Sequence, residues 1–268
     1  MSEARNADAA MLALFEDLAL AAGAEIMAVY AMGATVDRKA DDSPVTEADR
    51  RAEEVILAGL RVAYPDIVCV AEEEVSSGRV PPALGETFFL VDPLDGTKEF
   101  ISRRPDFTVN IALVRNGVPA VGVVYAPAQG VLYAGRPGAA SEAVVSAGRI
   151  DGDRRPMAVA AHSDRIRIVA SRSHRTPETD EFIGRYQDAE IVSVGSSLKF
   201  CLLASGRADL YPRFGRTMEW DTAAGDAVLR AAGGSTTRID GTAFVYGKRS
   251  QADDSDFANP WFIARGRS

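Results

Sequence analysis

Between residues 7 and 30, Met11, Leu14, Phe15, Leu18, Ile26 and Val29 recur at near-helical spacing, with Gly33 placed as a stop, and the pattern predicts a packed helix. Asp41, Asp42, Ser43 and Pro44 then interrupt it with turn formers. Thr46 is placed to cap a second helix through Val55, Ile56 and Leu60, and Pro65 ends it. The runs 67–71 and 88–91 are short, apolar and β-prone. Each delivers acids at its C-terminal end: Glu72, Glu73 and Glu74 after the first, Asp92 after the second. Residues 107–114 and 120–125 flank Arg115-Asn116-Gly117 and predict a β-hairpin, because Asn-Gly tolerates the positive φ of a tight turn. A further strand is expected at 131–134. From 135 to 165 Gly, Ala, Ser and Arg predominate with weak periodicity, which places a boundary between a metal-binding domain at 1–155 and a domain at 156–268 that completes the site. Strands at 168–171, 191–194 and 208–211 then alternate with helical segments at 177–186, 197–205 and 222–232. The expected class is α/β, with an α+β N-terminal half and an α/β C-terminal half.

Composition narrows the function. At 268 residues, 47% hydrophobic and 25% charged, the chain has the make-up of one large or two small globular domains, not of a disordered or disulfide-scaffolded chain. Its 30 basic against 38 acidic residues give a net charge of −8, so a nucleic-acid polymer has no general electrostatic reason to bind. A small phosphorylated substrate is compatible if cations screen the site. The apolar stretches 9–15 and 18–24 are broken by Glu16, Asp17 and Glu25, far short of the ~20 residues that cross a bilayer. No secretory signal is visible at the N-terminus, and a cytoplasmic address is expected. Cys69 and Cys201 are expected to be buried free thiols.

The most informative stretch is Asp92-Pro93-Leu94-Asp95-Gly96-Thr97. Pro93 holds Asp92 out of the helical region, Gly96 permits a tight turn, and Thr97 is placed to cap the following one. Taken alone, Asp92 and Asp95 could simply satisfy a turn, Glu72 to Glu74 could be a solvated run, and Asp221 an N-cap. Three separate segments ending in carboxylates would, however, repel one another unless cations neutralise them. With no His or Cys in these motifs, hard oxygen donors suit Mg²⁺ or Mn²⁺, and no EF-hand loop favours calcium. Helices after Thr97 and Asp221 would offer N-terminal dipoles to a phosphate.

Asp92-Pro93-Leu94-Asp95-Gly96-Thr97 and Trp220-Asp221-x-x-Ala224-Gly225 resemble the paired signatures of the lithium-sensitive, Mg²⁺-dependent inositol monophosphatase superfamily. Asp42-Ser43-Pro44-Val45-Thr46-x-x-Asp49 resembles its upstream motif, and Glu72-Glu73 its acid pair, so the resemblance covers nearly the whole chain. It implies a layered αβαβα fold. It also implies that Glu72, Asp92 and the Leu94 carbonyl hold one Mg²⁺ and that Asp92, Asp95 and Asp221 hold a second, with Asp92 bridging. A third ion at Glu72 is within the family's pattern, and Glu73 and Glu74 receive no role. Asp49 and Thr97 resemble the pair that orients the attacking water and accepts its proton; the plainer alternative for Asp49 is a first-turn acid favoured by the helix dipole.

Finer features favour one branch. Lys98-Glu99-Phe100, Phe107-Thr108-Val109-Asn110-Ile111-Ala112-Leu113, Gly195-Ser196-Ser197-Leu198-Lys199-Phe200 and Tyr211-Pro212-Arg213-Phe214 resemble 3′(2′),5′-bisphosphate nucleotidases of the CysQ type. Inositol monophosphatases usually carry Thr-Asn where this chain has Lys98-Glu99. The branch implies removal of the 3′-phosphate of adenosine 3′,5′-bisphosphate to give AMP and phosphate, in sulfate assimilation. An inositol or other sugar-phosphate phosphatase is the alternative within the superfamily, and a catalytically silent metal- and nucleotide-binding regulator the alternative outside it. The substrate would contact Glu72, Leu94, Asp95, Gly96, Thr97 and Asp221, with Gly195, Ser196, Lys199 and Arg213 adding amide groups and positive charge. Arg172 and His174 are further candidates; each of these bases could equally be a surface charge or a structural histidine. The resemblance leaves open a monomer or homodimer and peripheral membrane association. It weakens between 138 and 165.

Ser173-His174 is no hydrolase triad, because the chain has no Gly-x-Ser-x-Gly elbow. Gly241-x₅-Gly247-Lys248-Arg249-Ser250 only superficially matches a phosphate-binding loop: its glycines are spaced one too far apart, and Arg249 displaces the Ser or Thr.

Overall fold

The computed structural model describes residues 2–33, 36–38, 44–160, 165–171 and 175–266. Asp41, Asp42, Ser43, Arg172, Ser173 and His174 lie outside them. Helix α1 (Ser2–Met32) leads through the short antiparallel pair β1 (Val36–Arg38) and β2 (Pro44–Thr46) to α2 (Glu47–Ala63). Thr46 caps α2 as expected, within a reciprocal capping box with Asp49. Then come β3 (Val68–Ala71), α3 (Glu72–Ser76), β4 (Thr87–Asp95), α4 (Thr97–Ile101), β5 (Thr108–Arg115), β6 (Val118–Ala126), β7 (Val131–Arg136), β8 (Ala139–Ser146) and β9 (Arg149–Pro156). These seven strands form one sheet in chain order, parallel only between β3 and β4. The remainder is β10 (Arg167–Ser171), α5 (Pro177–Ile183), β11 (Glu190–Val194), α6 (Leu198–Ala204), β12 (Leu210–Arg213), α7 (Trp220–Ala231), β13 (Ser235–Arg238) and β14 (Phe262–Arg265). Its sheet runs β11-β10-β12-β14-β13.

The central strands of the first sheet are buried on both faces, which explains their unbroken apolar runs. Phe89 and Val91 of β4 join Ile111 and Leu113 of β5 in a core under α1 and α2. Phe88 and Leu90 turn to the opposite core with Ala112 and Val114, shared with α6, α7 and the second sheet. A third cluster lies around Ile168, Leu210 and Ile183 beside α5. The order helix, sheet, helix, sheet, helix is the layered αβαβα arrangement expected. The Asn116-Gly117 turn joins β5 and β6 with positive φ at both residues, as the sequence predicted.

Two expectations change. The stretch 135–165 is not irregular: it contains β8 and β9. These strands are held by backbone pairing, and β9 is exposed at nearly every position, so side-chain periodicity carries no signal there. The second half is also not purely alternating, because β13 and β14 return antiparallel to complete its sheet.

What lets α7 lie between the sheets is a pair of strand glycines. Gly122 of β6 and Gly135 of β7 stand opposite each other in register. A Cβ on Gly122 would meet the Ala224 carbonyl oxygen at 2.6 Å, and one on Gly135 the Val228 Cα at 2.6 Å. On its other side, α7 meets α6 where a Cβ on Gly225 would stand 2.7 Å from the Phe200 ring. Gly122→Val therefore forces α7 off the sheet and should lower stability by about 1–3 kcal/mol. An unchanged midpoint in chemical denaturation would refute the close packing.

Glu53 of α2 is buried and accepts a hydrogen bond from the Glu73 amide at 2.8 Å. Burial pushes its carboxyl up to about 7, and the Glu73 and Glu74 charges push the same way against the amide bond. It therefore holds its proton more tightly folded than unfolded. The stability it adds is complete below its ordinary value and disappears as pH rises through about 7. In chelator-containing buffer, wild type should lose on the order of 2 kcal/mol relative to Glu53→Gln between about pH 5 and about pH 8. A pH-independent difference would show Glu53 ionised throughout.

Candidate active site

Each acid of the motif Asp92-Pro93-Leu94-Asp95 occupies a position set by an irregularity in β4. The register against β5 slips between Asp92, opposite Asn110, and Asp95, opposite Thr108. Pro93 sits inside this bulge, where its missing amide costs no ladder bond. Gly96 follows with φ 95°, and a Cβ there would stand 3.0 Å from the Asp106 carbonyl, so both backbone and space require glycine. The chain then turns into α4. Thr97 does not cap this helix as expected: the cap position is Gly96, and the Thr97 hydroxyl is placed to donate to Asp49 Oδ1 at 3.2 Å or to the Leu94 carbonyl at 3.3 Å. Asp49 is itself fixed, its Oδ2 accepting from the Thr46 amide and hydroxyl, each at 2.7 Å.

A cavity of about 500 Å³ collects acids from three elements: Glu72 at the start of α3, Asp95 at the end of β4 and Asp221 in the first turn of α7. Gly96, Thr97, Gly195, Ser196, Lys199 and Arg213 line the same space. Asp92, Leu94 and Asp49 stand behind its wall. Asp92 is buried with Oδ1 accepting from the Leu94 amide at 3.0 Å, and Asp49 reaches the cavity through Thr97. The Asp221 side chain is not the N-cap of α7. That position belongs to Glu219, while Asp221 Oδ2 accepts from the Met218 amide at 2.8 Å. Asp95 Oδ2 is held by the Ser196 hydroxyl at 2.7 Å, the Ser197 amide at 2.7 Å and the Ser197 hydroxyl at 3.1 Å. The Ser197 amide is thus committed to an aspartate.

The electrostatics are those of a site that takes positive charge. Desolvation in the cavity wall, followed by the Asp95 and Glu72 carboxylates, pushes the Asp221 carboxyl up to about 8, against the Met218 amide and Arg213. Among the described residues no three His, Cys, Asp or Glu side chains already converge as a cage. The donors are nevertheless all oxygen, the Asp95 and Glu72 carboxylates both push the Asp221 carboxyl up, and Asp95 and Asp221 are each anchored through one oxygen. This donor set fits a hard divalent cation. Lys199 and Arg213, which line the same cavity, are buried on α6 and β12, so neither is a surface charge. Lys199 Nζ lies 5.4 Å from the centre of the Tyr211 ring and donates to the Ser196 carbonyl. Burial lowers its ammonium to about 8, against the pull of Asp95.

Several participants carried too weak a sequence signal. Tyr211, Met218 and Trp220 line the cavity, but each reads as core from the chain alone. Asn110 and Thr108 support the serines: Asn110 Nδ2 donates to Ser197 Oγ at 3.0 Å, and the Thr108 and Ser196 hydroxyls are hydrogen-bonded. Both stand in the stretch 107–113 that carries the resemblance and are polar inside an otherwise apolar strand, but nothing in the sequence assigned them this role.

The inositol monophosphatase family model matches residues 8–264. The chain is 45% identical over 249 residues, 91% of its length and 95% of the relative's, to the 3′(2′),5′-bisphosphate nucleotidase CysQ of Salmonella typhimurium. It is equally identical, with the same coverage, to the CysQ of Escherichia coli K12. Among solved structures, CysQ from Bacteroides thetaiotaomicron superposes with a TM-score of 0.78 at 39% identity, covering 96% of this chain and 97% of that one. An inositol monophosphatase from Anabaena superposes with a TM-score of 0.71 at 28% identity, covering 97% and 91%. With its signature acids on three elements around one cavity and the family model matched from Asp8 to Ala264, the chain belongs to the inositol monophosphatase family.

Proposed function

We propose that the protein is a Mg²⁺-dependent 3′(2′),5′-bisphosphate nucleotidase that converts adenosine 3′,5′-bisphosphate to AMP and phosphate, in sulfur assimilation. The observation that carries this reading is one cavity with a wall of acids at Glu72, Asp95 and Asp221, buried cations at Lys199 and Arg213, and the Asp49–Thr97 pair at its edge. The names of the 45% identical relatives support the nucleotide as substrate.

Glu72, Asp92, Asp95, Asp221 and the Leu94 carbonyl would hold the Mg²⁺ ions. Such ions, when bound, lower the pKa of an attacking water and neutralise charge on a leaving oxygen. Uncatalysed phosphate-monoester hydrolysis needs accelerations approaching 10²¹, far beyond the ~10²–10⁴ of one general base, so the acids that bring in the ions carry most of the rate. Asp49 and Thr97 handle the proton. With its hydrogen directed at Asp49 Oδ1, the Thr97 oxygen is left as an acceptor for water. As the water oxygen bonds to phosphorus and the bond from phosphorus to the ribose 3′ oxygen breaks, the water proton passes to Thr97 and the Thr97 proton to Asp49; the departing 3′ oxygen takes a proton from solvent, to which Asp49 then releases its own. Lys199 and Arg213, buried in the same cavity, would bind the second phosphate.

Phosphate release at fixed Mg²⁺, compared by kcat/KM for adenosine 3′,5′-bisphosphate and inositol 1-phosphate, should favour the nucleotide at least about tenfold, or ~1.4 kcal/mol of transition-state discrimination. The reverse preference would move the assignment to an inositol phosphatase, and no activity on either would favour a silent regulator. Asp95→Asn keeps the shape of the side chain but removes its charge. It should reduce kcat by at least about a hundredfold while leaving the fold intact by circular dichroism, as expected for a lost ligand of a catalytic metal. Near-normal turnover would sink the metal-ligand assignment.

A further inference from the structure

The segment Gly247-Lys248-Arg249-Ser250 has the look of an anion-binding loop without its spacing, and in the fold it binds a carboxylate of the chain itself. Glu219 is fully buried at the N-cap of α7, immediately before Trp220 and Asp221, yet its side chain does not cap the helix. Its Oε2 accepts from the Gly247 amide at 2.7 Å, and its Oε1 from the Lys248 amide at 2.9 Å and from Lys248 Nζ at 2.6 Å. Lys248 Nζ also donates to the Val245 carbonyl at 2.7 Å and to Asn259 Oδ1 at 3.1 Å, which uses all three of its protons. Asn259 Nδ2 in turn donates to the Met218 carbonyl at 2.7 Å and to Thr222 Oγ1 at 3.0 Å. The Met218 amide holds Asp221 Oδ2.

Two routes therefore run from Lys248 to Asp221. One passes through Glu219 and the helix backbone, the other through Asn259 and Met218, and together they close a ring around the first turn of α7. We infer that the Glu219–Lys248 pair, with Asn259, sets the position of the Asp221 carboxylate in the site, making Glu219 and Lys248 positioning residues for the reaction. This inference rests on Asp221 being a metal ligand. A buried ion pair adds little net stability compared with apolar residues of the same volume, so stability alone is a poor reason for this arrangement. What the ring does supply is a single allowed placement. Groups that orient metal ligands from behind typically govern metal affinity by about 10–100-fold.

The test is Mn²⁺ binding to the full-length protein, followed by electron paramagnetic resonance, alongside steady-state kinetics and thermal denaturation. Glu219→Gln should weaken Mn²⁺ binding at least about tenfold and lower kcat by a similar factor, with KM for the nucleotide within about twofold. Glu219→Gln/Lys248→Met removes both charges of the pair and should regain thermal stability without regaining Mn²⁺ affinity. If the affinity returns with the stability, the pair is merely structural and the inference is overturned. Lys248→Arg keeps a cation against Glu219 and Asn259, and should recover most of the affinity that Lys248→Met loses. Should Glu219→Gln fail to fold, Asn259→Ser cuts the second route alone and should also weaken Mn²⁺ binding; unchanged binding there overturns the inference. Asp221→Asn separates the two readings. If it binds Mn²⁺ like wild type, the ligand assignment fails. If it loses an ion while Glu219→Gln binds normally, the positioning inference alone fails.

Discussion

Helix α7 can approach the first sheet only because two adjacent strands present glycine at the same level, and both the shared core and the cavity depend on that contact. Gly122 and Gly135 make a shallow floor, and the helix answers with Ala224, Ala227 and Ala231, so backbone nearly touches backbone. From that seat α7 packs against β4 through β8 on one side and against α6 and β13 on the other. The same helix that joins the two sheets into one core carries Asp221 at its first turn, facing the bulge of β4 where Asp95 emerges. A displacement of α7 by the width of one methyl group would shift one wall of the cavity relative to the other, because interiors packed this tightly transmit strain.

Two acids five residues apart on α7 show how environment assigns roles. Asp226 is fully buried and satisfied: Thr236 Oγ1 donates at 2.7 Å, Arg230 Nε at 3.0 Å and the Tyr246 hydroxyl at 3.1 Å. It ties α7 to β13 and has no access to the cavity. Burial pushes both carboxyls up; at Asp221 the Asp95 and Glu72 carboxylates add to that push against the Met218 amide and Arg213, whereas at Asp226 the Arg230 charge and the hydrogen bonds from Thr236, Arg230 and Tyr246 all oppose it. A charge held in that state is poised to take a metal; a charge held like Asp226 has no further use for one.

The acids themselves were legible because they stand at the ends of strongly patterned elements. Glu72 after an apolar strand, Asp95 before Gly96, and Asp221 opening an apolar helix are each conspicuous against their neighbours, and the cavity brings all three together. The supporting groups were not. Glu219 reads as an ordinary charge before a tryptophan, and Lys248 as part of a failed phosphate loop; their partnership spans 29 positions and exists only after folding. The Ser196–Ser197 clamp on Asp95 spans more than a hundred positions, and the same limit applies.

The order of amino acids was enough to set the helices and strands with strong periodicity, the tight hairpin at Asn116-Gly117, the Thr46 cap and the presence of acids at the ends of those elements. These depend on local backbone preference and on residue chemistry, which need no distant partner. It took the folded chain to establish that β8 and β9 extend the first sheet, that Thr97 turns to Asp49 instead of capping α4, that Lys199 and Arg213 are buried against the site, and that a half-buried lysine stands behind Asp221. Each of these is a pairing or a burial decided by distant parts of the chain, and a hydrogen bond or close contact of that kind leaves no periodic trace in the order of the amino acids.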